Sequence, residues 1–302
     1  MKKKNRMKFK YMNRSDKIFY GILSVIIVFL TLIVLYPIIY VISASFSSST
    51  AVVEGKVWLW PVEPSLEAYK AVFKYRDLWI GYRNTIIYTV VGTVLNVSMA
   101  MICAYPMARK DLWGRNVFSF FFAFTMIFGG GMIPNYLLVK SLGMLNTPMA
   151  VIIPGAMSVY NMIVARNFIE SNVPGELLES CKIDGCDDFQ FFIRMVLPLS
   201  KAILAVLAVW HAVGHWNSYF SAFLYLTDKN LYPLQIFLKE ILTQSEINSE
   251  VVSNLSDAVQ LQNMKQLLKY AVIVVSTVPL FAFYPLVQKH FVKGVTIGSV
   301  KG

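Results

Sequence analysis

Two histidines, His211 and His215, stand four residues apart in an apolar run and so share one face of any helix built there. A zinc site would need a third ligand and usually a nearby glutamate. Only Ala212, Val213 and Gly214 intervene, so no metal site is expected. Two readings remain for the pair: hydrogen bonding inside a helical bundle, or facing a wet pore. The neighbouring run HWNSYF, residues 215–220, holds the other groups suited to a polar solute. Asn217 offers a donor and an acceptor, and Trp216 and Tyr219 offer rings that can stack on a solute's apolar face. The same two rings would equally serve to pack or anchor a helix. The sequence has no G-x-x-x-x-G-K-[ST] run, so no P-loop of its own to hold ATP, and no nucleophile–base pair at a credible spacing. Its three cysteines, Cys103, Cys181 and Cys186, are odd in number and sparse, so neither a disulfide scaffold nor redox chemistry is expected.

These groups sit on elements that the composition identifies. Of 302 residues, 56% are apolar and only 15% charged, whereas soluble domains carry about 25% charged residues. Mean hydropathy is +0.55. A soluble enzyme and a disordered chain are both excluded. Six stretches, near 18–44, 85–107, 117–138, 148–168, 202–226 and 270–288, approach or exceed the roughly 20 apolar residues that cross a bilayer as helix. The first is too long, and too far from the start, to read as a cleaved signal. The expected fold is therefore all-α and membrane-embedded, with six transmembrane helices.

Net charge is +11, and its placement argues against nucleic acid, because the densest basic run lies directly before the first span. Lys2, Lys3, Lys4, Arg6, Lys8, Lys10, Arg14 and Lys17, then Arg109, Lys110 and Arg115, then Arg166, Lys182, Arg194 and Lys201, then Lys289, Lys293 and Lys301 all fall on one side of such a six-span chain. By the positive-inside rule that side is the cytoplasm, and both termini lie there. Residues 1–17 then form a basic cytoplasmic N-terminus, 18–288 the transmembrane domain, and 289–302 a cytoplasmic tail. Two external loops, 45–84 and 227–269, exceed mere connections. The first carries Trp58, Trp60 and a short helix SLEAYKAVFK with Ser65 as N-cap; the second carries LYPLQIFLKEIL and a helix NLSDAVQLQNMKQLLKY. Such loops either dock an external partner or cap the bundle.

Prolines recur in the spans (Pro37, Pro106, Pro134, Pro154, Pro279, Pro285), and Gly129, Gly130 and Gly131 interrupt the third. Kinks and local unwinding follow, fitting either a rearranging bundle or tight packing. The six spans contain no Asp or Glu, which argues against an ion-coupled carrier, since such carriers need an intramembrane carboxylate. If transport is active, its energy comes from another chain.

Between the fourth and fifth spans runs NVPGELLESCKIDGCDDFQFFIRMVLPLSKAIL. It reads as two short amphipathic helices: Pro174, Glu176 and Glu179 mark the first, with Leu177, Leu178 and Cys181 on its apolar side. Asp184-Gly185 stops it, and a second segment runs to Leu197-Pro198. Too short to span, this pair has the shape of a docking element. The stretch resembles the EAA loop of binding-protein-dependent ABC importer permeases: E-A-A, three residues, G, nine residues, I, one residue, L-P. Glu179 stands at the E, Ser180 and Cys181 replace the alanines, Gly185 is the G, Met195 stands at the I, and Leu197-Pro198 ends the pattern with its spacing intact. FGGGMIPNYLLVKSLGMLNTPMAVIIP, VGHWNSYFSAFLYLTDKNLYPLQ and the terminal KGVTIGSVKG extend the resemblance to the carbohydrate-uptake branch, and within it to LplC-like permeases of complex-oligosaccharide importers.

That resemblance implies a MetI-like permease fold whose loop 170–200 forms a cytoplasmic coupling helix, with Glu176, Glu179, Ser180, Cys181, Asp184, Gly185, Leu197 and Pro198 as its ATPase-coupling residues. It also implies a second homologous permease, two cytoplasmic ATPase subunits carrying ATP and Mg, and an extracytoplasmic sugar-binding protein, in a bacterial plasma membrane. This chain would bind no cofactor and would not be an enzyme. His211, His215, Trp216, Asn217 and Tyr219 are the substrate-path candidates. The rival class is a stand-alone channel or facilitator for a small polar solute. Topology is testable with single cysteines at Ser65, Asn172 and Ser249 in a cysteine-free background. An impermeant thiol reagent on intact cells is expected to label positions 65 and 249 but not 172; the reverse pattern would overturn the orientation.

Overall fold

Within lipid each backbone N–H and C=O must be satisfied by the protein itself, and helices do this segment by segment. The computed structural model describes residues 13–247, 263–264 and 266–282, and every extended regular element among them is helical. In chain order these are α1 (Arg14–Ser45), α2 (Ser49–Val53), α3 (Glu67–Lys74), α4 (Arg76–Ala108), α5 (Arg115–Ile127), α6 (Met132–Ser141), α7 (Pro148–Ile152), α8 (Val159–Asn172), α9 (Gly175–Ile183), α10 (Asp188–Leu199), α11 (Lys201–Trp216), α12 (Phe220–Tyr225), α13 (Leu234–Ile247) and α14 (Gln266–Ala282). The N-terminal basic run up to Lys10, residues 283–302 and most of the expected helix 254–270 lie outside the described residues.

The chain divides into two units, residues 1–74 with 244–275 and residues 75–243 with 276–302. In the first, α1 begins on Asn13, whose side-chain oxygen accepts from the Arg14 N–H at 3.0 Å. Its apolar residues from Ile18 to Leu35 are exposed on every side, the surface of a helix solvated by lipid. Burial starts only at Ser43, Ala44 and Ser45. There a serine cluster satisfies the loop that follows: Ser43 Oγ donates to the Leu59 carbonyl at 2.6 Å, Ser47 Oγ accepts from the Val62 N–H at 3.0 Å, and Ser45 Oγ meets the Tyr69 hydroxyl at 2.8 Å.

The second unit is organised around α4. Ala100, Met101, Ala104 and Met107 of that helix pack with Met162, Ala165 and Ile169 of α8, Ile203 and Leu207 of α11, Cys181 of α9, and Phe191 and Val196 of α10. Small residues recur on this face because, between helices in lipid, close approach replaces hydrophobic expulsion as the source of attraction.

Several expected spans are not single helices. Among the described residues only α1 and α4 are each long and apolar enough to cross unbroken, and α4 starts nine residues before the expected 85. The third span is α5 and α6, bent by 110° where Gly129–Gly131 interrupts the ladder. The fourth, expected over 148–168, is α7 and α8 separated by residues 153–158, with Pro154 in the break. The fifth ends at Trp216, since Asn217–Tyr219 is not helical, and α12 follows as a separate piece. Upstream, α10 meets α11 at 80°. A π-helical segment, Phe192–Val196, precedes Leu197-Pro198. Proline 198 has no N–H for the carbonyl four residues back, and the wider register spans that gap, with the Leu197 N–H reaching the Phe192 carbonyl.

Candidate functional site

The loop of residues 170–200 is built as its residue types direct. Pro174 precedes α9 in extended geometry (φ −61°, ψ 141°), and Glu176 sits in the first turn, where the positive helix end favours it. Gly185 has φ +79°, a left-handed conformation that β-carbons resist. The stop is a full Schellman turn: the Cys186 N–H reaches the Cys181 carbonyl at 2.9 Å and the Gly185 N–H reaches the Lys182 carbonyl at 3.1 Å. Asp187 then caps α10, its Oδ1 accepting from the Gln190 N–H at 2.6 Å. Leu177, Leu178 and Cys181 turn inward to the core, while Glu176, Glu179, Ser180, Lys182 and Asp184 are exposed. Ile183 is 87% exposed. A large aliphatic side chain held outward at a helix tip between charged neighbours suits insertion into a partner's groove.

The turn also joins two of the three cysteines, whose sparse and odd count gave no expectation of a disulfide scaffold. Cys181 and Cys186 are joined in a disulfide, their Cα atoms 5.2 Å apart, and Cys103 is free. The signal in the sequence was their position, five apart and straddling Asp184-Gly185, which a Schellman stop brings together. Another missed residue is Arg109, just past α4. It pairs with Asp111 and with Asp188 at the start of α10, and lies 6.0 Å over the Tyr105 ring. Tyr105 in turn meets Phe192 at 5.3 Å. Hydrogen bonding from Arg109 holds the Asp111 carboxyl down at about 2. Its contribution is present above the ordinary 3.8 and is lost only as pH falls toward about 2, so the clasp does not change across the physiological range. Arg115, pairing with Glu170 and donating to the Met107 carbonyl at 2.9 Å, ties the same corner to the end of α8.

His211 and His215 share a face as expected, but each is engaged by an asparagine of another helix. The Nε2 of His215 donates to Asn96 Oδ1 at 2.6 Å, and Asn96 Nδ2 donates to the Gly155 carbonyl in the break between α7 and α8. Asn161 Nδ2 donates to His211 Nε2 at 2.9 Å. Gly92 makes the first contact feasible, because a β-carbon there would collide with the His215 ring. Trp216 is buried, its indole donating to the Ser276 carbonyl at 3.2 Å. Of the HWNSYF run, Asn217 is exposed and closes the end of α11 on the Val213 carbonyl at 2.9 Å, and Tyr219 stacks on Phe223 at 5.5 Å. Farther along α4, the hydroxyl oxygens of Thr89 and Thr93 are shielded and make no hydrogen bond to the protein. Asn96 was legible in principle as an asparagine inside an apolar span; its partners were not.

The second unit thus combines broken spans, a hydrogen-bonded seam and an outward-facing helix held by a clasp. The chain belongs to the family described as binding-protein-dependent transport system inner membrane component, whose profile matches residues 78–297. It is 40% identical over 287 residues to the polygalacturonan/rhamnogalacturonan transport system permease protein YtcP of Bacillus subtilis (strain 168), covering 95% of this chain and 98% of that one. It is 41% identical over 270 residues to Protein LplC of the same organism, covering 89% and 90%. A crystal structure of a bacterial ABC transporter involved in the import of the acidic polysaccharide alginate contains a chain with TM-score 0.83 and 36% identity, covering 93% of this chain and 99% of that one. The chain is thus a membrane-embedded transport permease subunit with the all-helical permease fold, and the stand-alone channel finds no support. Gly92→Ala is expected to push His215 off Asn96 and cost about 1–3 kcal/mol of stability, read as a lower melting temperature of the purified permease. An unchanged melting temperature would show that the seam repacks freely.

Proposed function

We propose that this chain is one of two homologous permeases that together form the alternating-access path of an ATP-driven importer for an oligosaccharide. Two cytoplasmic ATPase subunits drive it, an external binding protein delivers cargo, and both termini lie in the cytoplasm. The observation that carries this is α9 with its Schellman stop, presenting Glu176, Glu179, Ser180, Ile183 and Asp184 on one exposed surface at the spacing of an ATPase-coupling loop. In this reading Cys181, Leu197 and Pro198 fix the helix pair from behind, and the Arg109 clasp passes its displacement to α4. ATP and Mg belong to the ATPase.

For the cargo, the relatives named above for polygalacturonan or rhamnogalacturonan and for an acidic polysaccharide support a uronic-acid-containing oligosaccharide. Its passage needs donors, acceptors and ring faces rather than a driving-ion carboxylate. His211, His215 and Trp216 act here as the packed wall behind the path. Asn217, exposed, and Tyr219, half-buried, are its candidates.

Gly185→Val places a β-branched residue at φ +79°, costing about 1–2 kcal/mol at that residue, and Glu179→Lys reverses a charge on the docking surface. Both are expected to reach the membrane yet lose binding-protein-stimulated ATP hydrolysis in the assembled importer; wild-type stimulation in both would remove the loop from energy transfer. Asn217→Ala and Tyr219→Ala are expected to alter the relative uptake of a panel of neutral and acidic oligosaccharides while keeping ATPase stimulation. At matched permease levels, an unchanged preference profile would take these residues out of the path.

A further inference from the structure

The coupling loop contains a pair of sulfur groups whose bonding to each other the transport reading leaves without a role. In a Schellman turn the third residue from the helix end and the second residue beyond its cap are brought together, ordinarily in an apolar contact. Here those positions are Cys181 and Cys186, and the 2.9 Å and 3.1 Å hydrogen bonds of the turn hold them. Their Cα separation of 5.2 Å lies within the about 4.4–6.8 Å that a disulfide bridges. The link therefore closes over the existing helix stop without moving it. On the cytoplasmic side, where the positive-inside rule puts this loop, thiols are ordinarily kept reduced. A disulfide there is a conditional state rather than a permanent staple.

We propose that Cys181 and Cys186 form a reversible thiol–disulfide switch, oxidised by a hydroperoxide, that governs whether the coupling helix transmits motion to the spans. Cys186 is the more accessible sulfur, and Cys181 lies on the core side, 9% exposed. The Cys186 thiolate attacks the peroxide: an S–O bond forms, the O–O bond breaks, and the departing alkoxide or hydroxide takes a proton. Cys181 then attacks the sulfenic sulfur as its thiolate; the S–S bond forms, the S–O bond breaks, and the oxygen leaves as water. The net change is two thiols and one hydroperoxide to one disulfide, one alcohol or water, and one water.

The mechanical effect follows from where the ring closes. Reduced, α9 joins α10 through Gly185, whose backbone can rotate as a partner pulls on the helix. Oxidised, residues 181–186 form a closed ring that contains this hinge. Cys181 packs in the same cluster as Met107 of α4 and Phe191 of α10, so the ring also fixes the stop to the core. Cys103, in α4 with its Sγ 3.9 Å from Met157 Sδ, takes no part.

The proposal rests on reading loop 170–200 as the ATPase-coupling element, and the test separates the two. The complete importer with Cys103→Ser is reconstituted in vesicles, treated with hydrogen peroxide and then with dithiothreitol. Free thiols are counted at each stage by the mass shift of a maleimide polymer, and binding-protein-stimulated ATP hydrolysis is measured alongside. Peroxide is expected to protect both cysteines and lower stimulation at least about fivefold, the lower end of ordinary coupling effects, with both changes reversed by dithiothreitol. Cys186→Ser, or Cys186→Ala should the serine variant not assemble, is expected to lose the peroxide response. Thiols that stay fully reactive after peroxide, or a disulfide that forms with stimulation unchanged, would overturn the switch. If Gly185→Val and Glu179→Lys abolish stimulation while oxidation has no effect, only the switch fails. If those two variants leave stimulation intact under reducing conditions, the coupling reading fails and the switch falls with it.

Discussion

A span interrupted within an apolar layer leaves carbonyl groups without helix partners, and one side chain, Asn96, answers that constraint at the break of the fourth span. Its amide donates to the Gly155 carbonyl in the break of the fourth span, and its own oxygen accepts from His215. A single residue of α4 thereby holds the break between α7 and α8 against α11. Each unsatisfied backbone group in hydrocarbon costs several kcal/mol, so the break is tolerated because Asn96 is there. Gly92, one turn away, is the steric complement that lets the imidazole reach it. Asn161 and His211 repeat the arrangement between α8 and α11.

The same helix organises the packing. Ala100 and Ala104 of α4 are wholly buried and let α8 and α11 approach closely, and Gly81 lies so near α13 that a β-carbon would come within 2.8 Å of Phe237 Cδ2. At the other end α4 finishes in Arg109, whose ion pair with Asp188 reaches the helix following the coupling turn. One continuous helix thus carries the polar seam at its middle and the clasp at its end. Coupling by rigid secondary structure requires that kind of continuity between a docking surface and a moving span.

Helix α9 is held by local rules rather than by extensive burial. An extended proline at its start, an acidic first turn, a left-handed glycine at its stop and an aspartate cap on the next helix define its length and direction. Three inward residues anchor it while its charged residues and Ile183 stay exposed. Gly185 lies between the two cysteines that the same turn brings together.

Composition and charge placement sufficed for an all-helical membrane chain, because crossing lipid demands long apolar segments whatever the tertiary fold. The residues from Pro174 through Gly185 to Leu197-Pro198 sufficed for two short helices divided by a turn, because capping and helix stops are decided within a few residues. Gly129–Gly131 likewise marked the bend in the third span. What tertiary structure alone decided are the partners across helices. Nothing near His215 in the chain points to Asn96, 119 residues away, and nothing near Arg109 points to Asp188. The lengths of the broken spans also escaped apolar patterning, since residues 148–168 remain apolar through the turn and hydropathy does not register where a hydrogen-bond ladder stops. Trp216, readable in sequence as either a ring facing a solute or a packing residue of the fifth span, is buried and bonded to the Ser276 carbonyl. Local chemistry is written in neighbouring residues. Which polar groups meet in the interior depends on helix rotation and approach, and those are settled only when the helices pack.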